Sequence, residues 1–198
     1  MTDPVRILAF AGSLRPDSLN RKLLELAARE AEQAGAAVTR LDLAELELPL
    51  YDPRLESRDG FPAGALRLKA ALARHDGFLI ASPEHNASVT AALKSALDWA
   101  SRPAPGEGRF ASLAGRPAAL LAASPAALGG ARSLTALRAI LQELEVLALP
   151  EQVILPRAHA AFAADGELTD ERAAAAVRRV ARRLVTAAGL LRSPRSTE

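Results

Sequence analysis

The chain has 198 residues, of which 49% are hydrophobic and 24% are charged, and 25 Lys and Arg against 23 Asp and Glu leave a net charge of +2. This composition is typical of a globular protein with a sizeable core, and it excludes intrinsic disorder and collagen-like architecture. The absence of Cys excludes disulfides, thiolate zinc sites and cysteine nucleophiles, and the three His are too scattered to predict a metal site.

Short apolar runs bounded by turn residues predict five buried strands along the chain. They cover Val5 to Phe10, Ala37 to Leu41, Gly77 to Ser82, Pro117 to Ala123, and a short stretch within Leu147 to Leu155. The alanine-rich fourth run favours helix by propensity alone, so its assignment as a strand depends on its neighbours.

Helical spacing of apolar residues predicts helices between and after these strands. They run from about Ser18 to Gly35, Gly64 to Arg74, Ser88 to Ala100, Ala131 to Glu145, and Thr169 to Leu191. The alternation predicts one doubly wound α/β domain over residues 1–191, with a parallel sheet and helices on both faces. The strand order expected for five such strands is 2-1-3-4-5. Residues 192–198 are predicted to fray, and Asp42 to Ala63 is predicted to be a long connecting loop.

The predicted ligand crevice lies beyond the carboxyl ends of strands 1, 3 and 4, which are neighbours in this order. The first of these loops has no G-x-G-x-x-G and no P-loop motif, which disfavours a dinucleotide Rossmann site and a P-loop NTPase. This loop and the helix start that follows it carry polar donors that suit a phosphate held without metal. They are Ser13, Arg15, Ser18 and Asn20. Taken singly, Ser18 could be only a helix cap and Arg15 only a solvated cation.

The loops after strands 3 and 4 carry a second group of candidates. Asn86 offers a donor and an acceptor to the edge of a planar heterocycle, although Asn86 or Ser88 could instead cap a helix. His85 could lie against a ring or simply pack. The glycines at 129 and 130 allow close backbone approach to a flat ligand, and Arg132 could meet a phosphate, a carboxylate or a neighbouring subunit. Trp99 is expected in the core or at a subunit interface.

The motifs in these loops resemble the NAD(P)H-dependent FMN reductase family over roughly Val5 to Leu137. The resemblance is carried by residues 12–15 with 18–21 and by residues 82–86 with 93–99, and the segments 49–52 and 129–132 also fit. The family is flavodoxin-like, which implies a three-layer sandwich. The chain departs from the family pattern at His85, where Tyr is common, and at Ala87 and Ala126, where Gly is common.

The resemblance also implies roles for individual residues. The first loop would hold the FMN phosphate through Ser13, Arg15, Ser18 and Asn20, and Leu14 would also belong to the cofactor site. The later loops would border the isoalloxazine ring and the ribityl chain, with Pro83, Glu84, His85 and Asn86 on one side and Ser124 and Gly129 on the other. No catalytic residue is assigned, and His85 is the one candidate proton donor.

The resemblance therefore predicts an FMN-dependent oxidoreductase with NADPH or NADH as co-substrate. Hydride would pass from the nicotinamide to bound flavin and on to a quinone, free flavin, azo or metal-oxyanion acceptor. The alternatives are a flavodoxin-like electron carrier, which the net charge of +2 disfavours, and a flavin-free regulatory dimer.

We expect no nucleic-acid partner and no membrane segment. Aromatic residues make up only 4% of the chain, and the arginine cluster at 178–183 is more typical of a solvated helix face than of a nucleic-acid site. No stretch approaches the ~18 apolar residues of a membrane span, which predicts a cytoplasmic protein. The family resemblance implies a homodimer or homotetramer.

Overall fold

A single five-stranded parallel sheet forms the centre of the protein. The computed structural model describes residues 3–104 and 106–192. The strand order is β2-β1-β3-β4-β5, as predicted, with β1 Arg6–Ala11, β2 Ala37–Leu41, β3 Gly77–Ala81, β4 Pro117–Ala123 and β5 Leu147–Leu155. The fifth strand fills the whole stretch in which a short strand was expected. Of the tail predicted at 192–198, residues 193–198 lie outside the described residues.

In the part of the chain that the structure describes, six α-helices connect and cover the strands. They are α1 Leu19–Gln33, α2 Pro53–Asp59, α3 Ala63–Arg74, α4 Ala91–Ser101, α5 Ala131–Glu143 and α6 Glu171–Leu191. The helix predicted to begin near Thr169 begins at Glu171, because Asp170 caps it by accepting a hydrogen bond from the N–H of Arg172 at 2.8 Å.

The prediction of a long loop from 42 to 63 is wrong in part. This connection contains a 3₁₀ turn at Leu43–Leu46 and the short helix α2. Each begins at an aspartate that accepts a backbone hydrogen bond, from Ala44 N to Asp42 and from Arg54 N to Asp52. The Asp52-Pro53 pair is a helix-start signal that the sequence already carried, since proline is favoured at the first helical position.

Two hydrophobic clusters, one on each face of the sheet, form the core. Alternate residues of β1 point to opposite faces, so Ile7 packs with α1 and α6 while Leu8 packs with α3, α4 and α5. Trp99 is a fully buried core residue whose Nε1 donates to the carbonyl of Pro49 at 2.9 Å. Its ring also meets Tyr51 edge-on at 5.1 Å, which fastens the 42–63 connection to α4.

Candidate cofactor site

The helix α1 begins without a cap of its own. Ser18 occupies the N-cap position with an extended backbone and is 7% exposed, yet its side chain caps no N–H group, and the first turn holds no acidic residue. The first backbone bond of the helix runs from Lys22 N to Ser18 O at 3.1 Å. The N–H groups before Lys22 therefore lack intrahelical acceptors and, together with the helix dipole, favour an anion at this position.

The remaining first-loop candidates lie at the surface beside this helix start. Leu14 is 54% exposed, and the backbone N–H of Arg15 donates to the Ser13 hydroxyl at 3.3 Å. The Arg15 guanidinium pairs with Asp17 at 2.9 Å, and its hydrogen bond and charge lower the pKa of that carboxyl. Arg15 is thus close to the helix start, but an anionic ligand there would compete with Asp17 for it.

Asn20 has a different environment from the one its predicted role requires. Its side chain is 4% exposed, donates to the carbonyl of Ala123 at 2.8 Å and accepts from the N–H of Ala123 at 3.0 Å. Both ends of the amide are therefore used inside the protein. This pair joins the start of α1 to the end of β4, which makes Asn20 a positioning residue for the first loop in this structure.

Thr90 and Gly12 join the first loop to the second. The Thr90 hydroxyl donates to the carbonyl of Gly12 at 2.6 Å and caps α4 by accepting from Leu93 N at 3.1 Å. A Cβ on Gly12 would come within 2.8 Å of Leu93 Cβ, so only glycine fits. The prediction that this helix begins near Ser88 is wrong, since it begins at Ala91, and the alternative that Asn86 or Ser88 caps it does not hold because Thr90 is the cap. A threonine just before an apolar helical run was the signal for this start.

The second loop ends in a two-residue hairpin from His85 to Ser88. The two residues exchange backbone hydrogen bonds of 3.0 Å in each direction, while Asn86 has a φ of 48° and Ala87 a φ of 66°. Two successive positive φ values define a type I′ turn, for which Asn-Gly is the preferred pair. The departure at Ala87 therefore places an alanine where the backbone favours glycine. Both His85 and Asn86 are exposed, and Pro83 is half-buried.

Replacing Ala87 by glycine is expected to raise the free energy of unfolding by about 0.5–1 kcal/mol, because it removes left-handed strain. Chemical denaturation of the wild type and Ala87→Gly measures the change. Ala175→Gly within α6 is the matched control and is expected to lower stability by a similar amount, because that site has helical backbone. An equal loss in both variants would contradict the turn assignment.

Glu84 links the second loop to the start of α5. Its side chain is 10% exposed and forms an ion pair with Arg132, whose Nε donates to the carboxylate at 2.7 Å. The carboxylate also accepts the backbone N–H groups of Arg132 at 3.1 Å and Ser133 at 3.4 Å. Burial favours the neutral acid, but these donors and the arginine charge hold the pKa of Glu84 below its usual range. Among the options for Arg132, the structure shows a carboxylate partner within the same chain.

The lowered pKa of Glu84 predicts a pH-dependent contribution to stability. The contribution is complete above the unfolded-state pKa of about 4.3 and is lost as pH falls through the lower folded-state pKa. Glu84→Gln is therefore expected to lower the free energy of unfolding by about 1 kcal/mol at neutral pH and by less at about pH 3. Urea denaturation at both pH values measures this. Glu143→Gln, in an exposed pair with Arg109 at the other end of α5, is the control and should change little.

The third loop contains two glycines that the backbone requires. Gly129 and Gly130 have φ values of 61° and 94°. A Cβ on Gly129 would come within 2.7 Å of Ile154 Cγ2, and one on Gly130 would come within 2.7 Å of Ala122 Cβ. The loop is therefore pressed against β4 and β5. Ser124 is half-buried and accepts from Ala126 N at 3.2 Å, and Ala126 itself needs no positive φ. The departure at Ala126 thus introduces no strain.

Hydrogen bonds join the three loops at the carboxyl end of the sheet, where their positions in the strand order predicted that they would meet. Ser133 completes the connections by donating from its hydroxyl to the carbonyls of Ser82 at 3.0 Å and Gly130 at 2.9 Å. Ser133 and Arg132 were not predicted as connectors, because their partners lie about fifty positions away along the chain. The fold defines a flavodoxin-like protein in which the start of α1 lies beside the loops that follow β3 and β4.

Comparison with known proteins identifies the family. The profile described as NADPH-dependent FMN reductase matches residues 5–160. An NAD(P)H-dependent FMN reductase of Pseudomonas aeruginosa is 37% identical over 175 residues, covering 87% of this chain and 89% of that protein. A quinone reductase of Escherichia coli is 32% identical over 149 residues, covering 75% of this chain and 76% of that protein. The chain therefore belongs to the NADPH-dependent FMN reductase family.

A solved structure agrees with this assignment. The flavoenzyme NAD(P)H:(acceptor) oxidoreductase FerB of Paracoccus denitrificans has a TM-score of 0.78 and 32% identity, over 94% of this chain and 98% of that one. The predicted family, the flavodoxin-like fold and the oxidoreductase class are confirmed, as are FMN and NAD(P)H at the level of the family. None of the helices within residues 3–104 and 106–192 is long and apolar enough to cross a bilayer.

Proposed function

We propose that this protein holds FMN at the carboxyl edge of its sheet and uses NAD(P)H to reduce small quinones. The observation that carries the proposal is the start of α1, where Ser18 leaves the helix uncapped and no acidic side chain lies in the first turn. The helices α2, α4 and α6 are capped by their own Asp or Thr side chains, and α5 is capped by Glu84. The helix α3 starts at Pro62 without a side-chain cap, but it does not follow a strand of the sheet directly as α1 does. A helix start kept open in this way suits a ligand phosphate.

The residues at this edge fit FMN by the chemistry of their donors. The Ser13 and Ser18 hydroxyls, the Arg15 guanidinium and the open N–H groups of α1 are donors, which a phosphate requires. The Asn86–Ala87 turn exposes backbone and amide groups that can meet the edge of a flat ring. The glycines at 129 and 130 let the third loop approach from the other side without side chains.

The contribution of the protein to the reaction is mainly binding and orientation. FMN, when bound, supplies the hydride-accepting and hydride-donating chemistry. The backbone N–H groups of the second and third loops can stabilise negative charge that develops on a reduced ring. Glu84 is engaged with Arg132 and is not free to transfer a proton, whereas His85 is exposed on the turn and stays the candidate proton donor.

Quinones are proposed as the acceptors because the Escherichia coli relative is described as a quinone reductase. Azo dyes, metal oxyanions and free flavin stay as weaker predictions from the resemblance. A cytoplasmic location likewise stays a prediction from the sequence.

A homodimer or homotetramer is part of this proposal. Leu14, Leu50 and Leu128 lie on connections that follow three different strands, and they are 54%, 70% and 52% exposed. Exposed leucines around one edge favour a protein partner, and a second copy of the chain fits the family resemblance. Sedimentation of the FMN-loaded protein tests this, and a monomer at working concentrations would contradict it.

Anaerobic titration of the FMN-loaded protein with NADPH and with NADH tests the reductase function. We expect the oxidised flavin absorbance to disappear with at least one nicotinamide and to return when a benzoquinone is added. If flavin is retained but only a chemical reductant bleaches it, the electron-carrier alternative gains. If no flavin is retained, the flavin-free alternative gains.

A further inference from the structure

Glu84 supplies the cap that α5 cannot provide for itself. The N-cap residue of α5 is Gly130, which has no side chain, and its φ of 94° makes the position unsuitable for the usual capping residues. The Glu84 carboxylate fills this role from 48 residues away by accepting the N–H of Arg132. The side chain thereby joins two of the three loops that border the proposed flavin crevice.

The charges at this junction are closely balanced. One carboxylate, 10% exposed, faces the Arg132 guanidinium and the positive end of the α5 dipole. Glu84 also immediately precedes the His85–Ser88 turn. Its contact with Arg132 therefore lies next to the segment expected to border the flavin ring. Loss of Arg132 would leave the largely buried Glu84 carboxylate without its charge partner, whereas loss of Glu84 would leave an Arg132 side chain that is 57% exposed.

On the basis of the proposed function, we propose that Glu84 and Arg132 together set the reduction potential of the bound flavin. Reduction by two electrons with uptake of one proton leaves a flavin ring with one additional negative charge. A nearby positive charge stabilises that form and a negative charge destabilises it. Glu84 acts through position and charge and is a positioning residue, since its carboxylate is bound to α5.

A purely structural role and a charge-balancing role give different results. If the junction only holds the loops together, removing either partner loosens the same crevice and shifts the potential in the same direction. If it balances charge, the two removals act in opposite directions. Glu84→Gln leaves the Arg132 and helix charges unopposed and favours reduced flavin. Arg132→Gln leaves the carboxylate less compensated and favours oxidised flavin.

The test measures the midpoint potential of FMN-loaded full-length protein by slow enzymatic reduction against a reference dye. We expect the midpoint potential of Glu84→Gln to be more positive than that of the wild type, and the midpoint potential of Arg132→Gln to be more negative. Each shift should correspond to about a tenfold change in the ratio of the Kd values for oxidised and reduced FMN. Glu143→Gln and Arg109→Gln remove the charges of an exposed ion pair between the last residue of α5 and the connection before β4, and they should leave the potential unchanged.

If the wild type holds and reduces FMN, but the two variants shift the potential in the same direction or not at all, this inference is overturned. The proposed function then stays intact. A wild type that retains no FMN would instead overturn the proposed function, and the inference with it. If Glu84→Gln fails to fold, Arg132→Gln is compared with Arg132→Lys, which keeps the positive charge but loses the forked contact with the carboxylate. A potential that becomes more negative in Arg132→Gln and stays near the wild type in Arg132→Lys agrees with charge balance, and equal shifts in both overturn it.

Discussion

Replacing Ser18 by aspartate is expected to weaken FMN binding by at least about 100-fold while raising the stability of the apoprotein. Ser18 is the uncapped N-cap residue of α1, and its extended backbone suits a capping carboxylate. Aspartate would bind the open N–H groups, add about 0.5–1 kcal/mol to the free energy of unfolding, and repel a phosphate. Flavin fluorescence titration and urea denaturation measure the two effects.

The opposite signs of these effects separate a ligand site from an ordinary helix start. Ser18→Ala is the matched control and should weaken FMN binding by only about tenfold, since it removes one hydroxyl without adding charge. Asp17→Asn should strengthen binding a few-fold, because it releases Arg15 from its ion pair. If Ser18→Asp stabilises the protein and still binds FMN as the wild type does, the phosphate does not sit at α1.

Replacing Asn20 by leucine is expected to cost about 2–4 kcal/mol of unfolding free energy, the largest stability loss predicted here. The side chain is buried and satisfies both the N–H and the carbonyl of Ala123. Leucine has a similar volume and leaves both groups without a partner in a place that excludes water. Denaturation of Asn20→Leu beside Gln33→Leu, an exposed position at the end of the same helix, measures the difference.

The same variant separates the two roles considered for Asn20. With its amide bound to Ala123, folded Asn20→Leu should keep FMN affinity within a few-fold of the wild type. If Asn20 instead holds the phosphate with its side chain, affinity should fall about as much as in Ser18→Asp. Binding is best measured well below the unfolding temperature, so that the folded fraction is complete.

The strand order and the location of the crevice could be predicted because they depend on local patterns. Short apolar runs defined all five strands, and their order followed from the alternation with helices and the family resemblance. Helix starts were less certain where several capping residues stand close together. Between 86 and 90 the chain offers Asn, Ser and Thr, and Thr90 is selected by its bond to Gly12, which is 78 positions away.

Side-chain partners across the edge could not be predicted from single loops. Asn20 was predicted to be a phosphate donor from its place in the first loop, and its hydrogen bonds to Ala123, which is 103 positions away, could not be foreseen from that loop. Glu84 looked like a flavin contact, although its carboxylate turns to α5 and Arg132. The strain at Ala87 was visible only as a departure from the family pattern, and the positive φ gives its physical cause. The local sequence thus identifies the polar side chains at the carboxyl end of the sheet. Tertiary contacts determine which of these side chains stay free to bind a ligand.

The phosphate-binding role of the start of α1 is tested most directly by comparing the affinities of the wild type for FMN and riboflavin. The two ligands share the ring and ribityl chain and differ by the phosphate. We expect FMN to bind at least about 100-fold more tightly than riboflavin, because only FMN can use the open N–H groups and Ser18. Equal affinities would contradict a phosphate site at α1, since the helix start would then contribute nothing to binding.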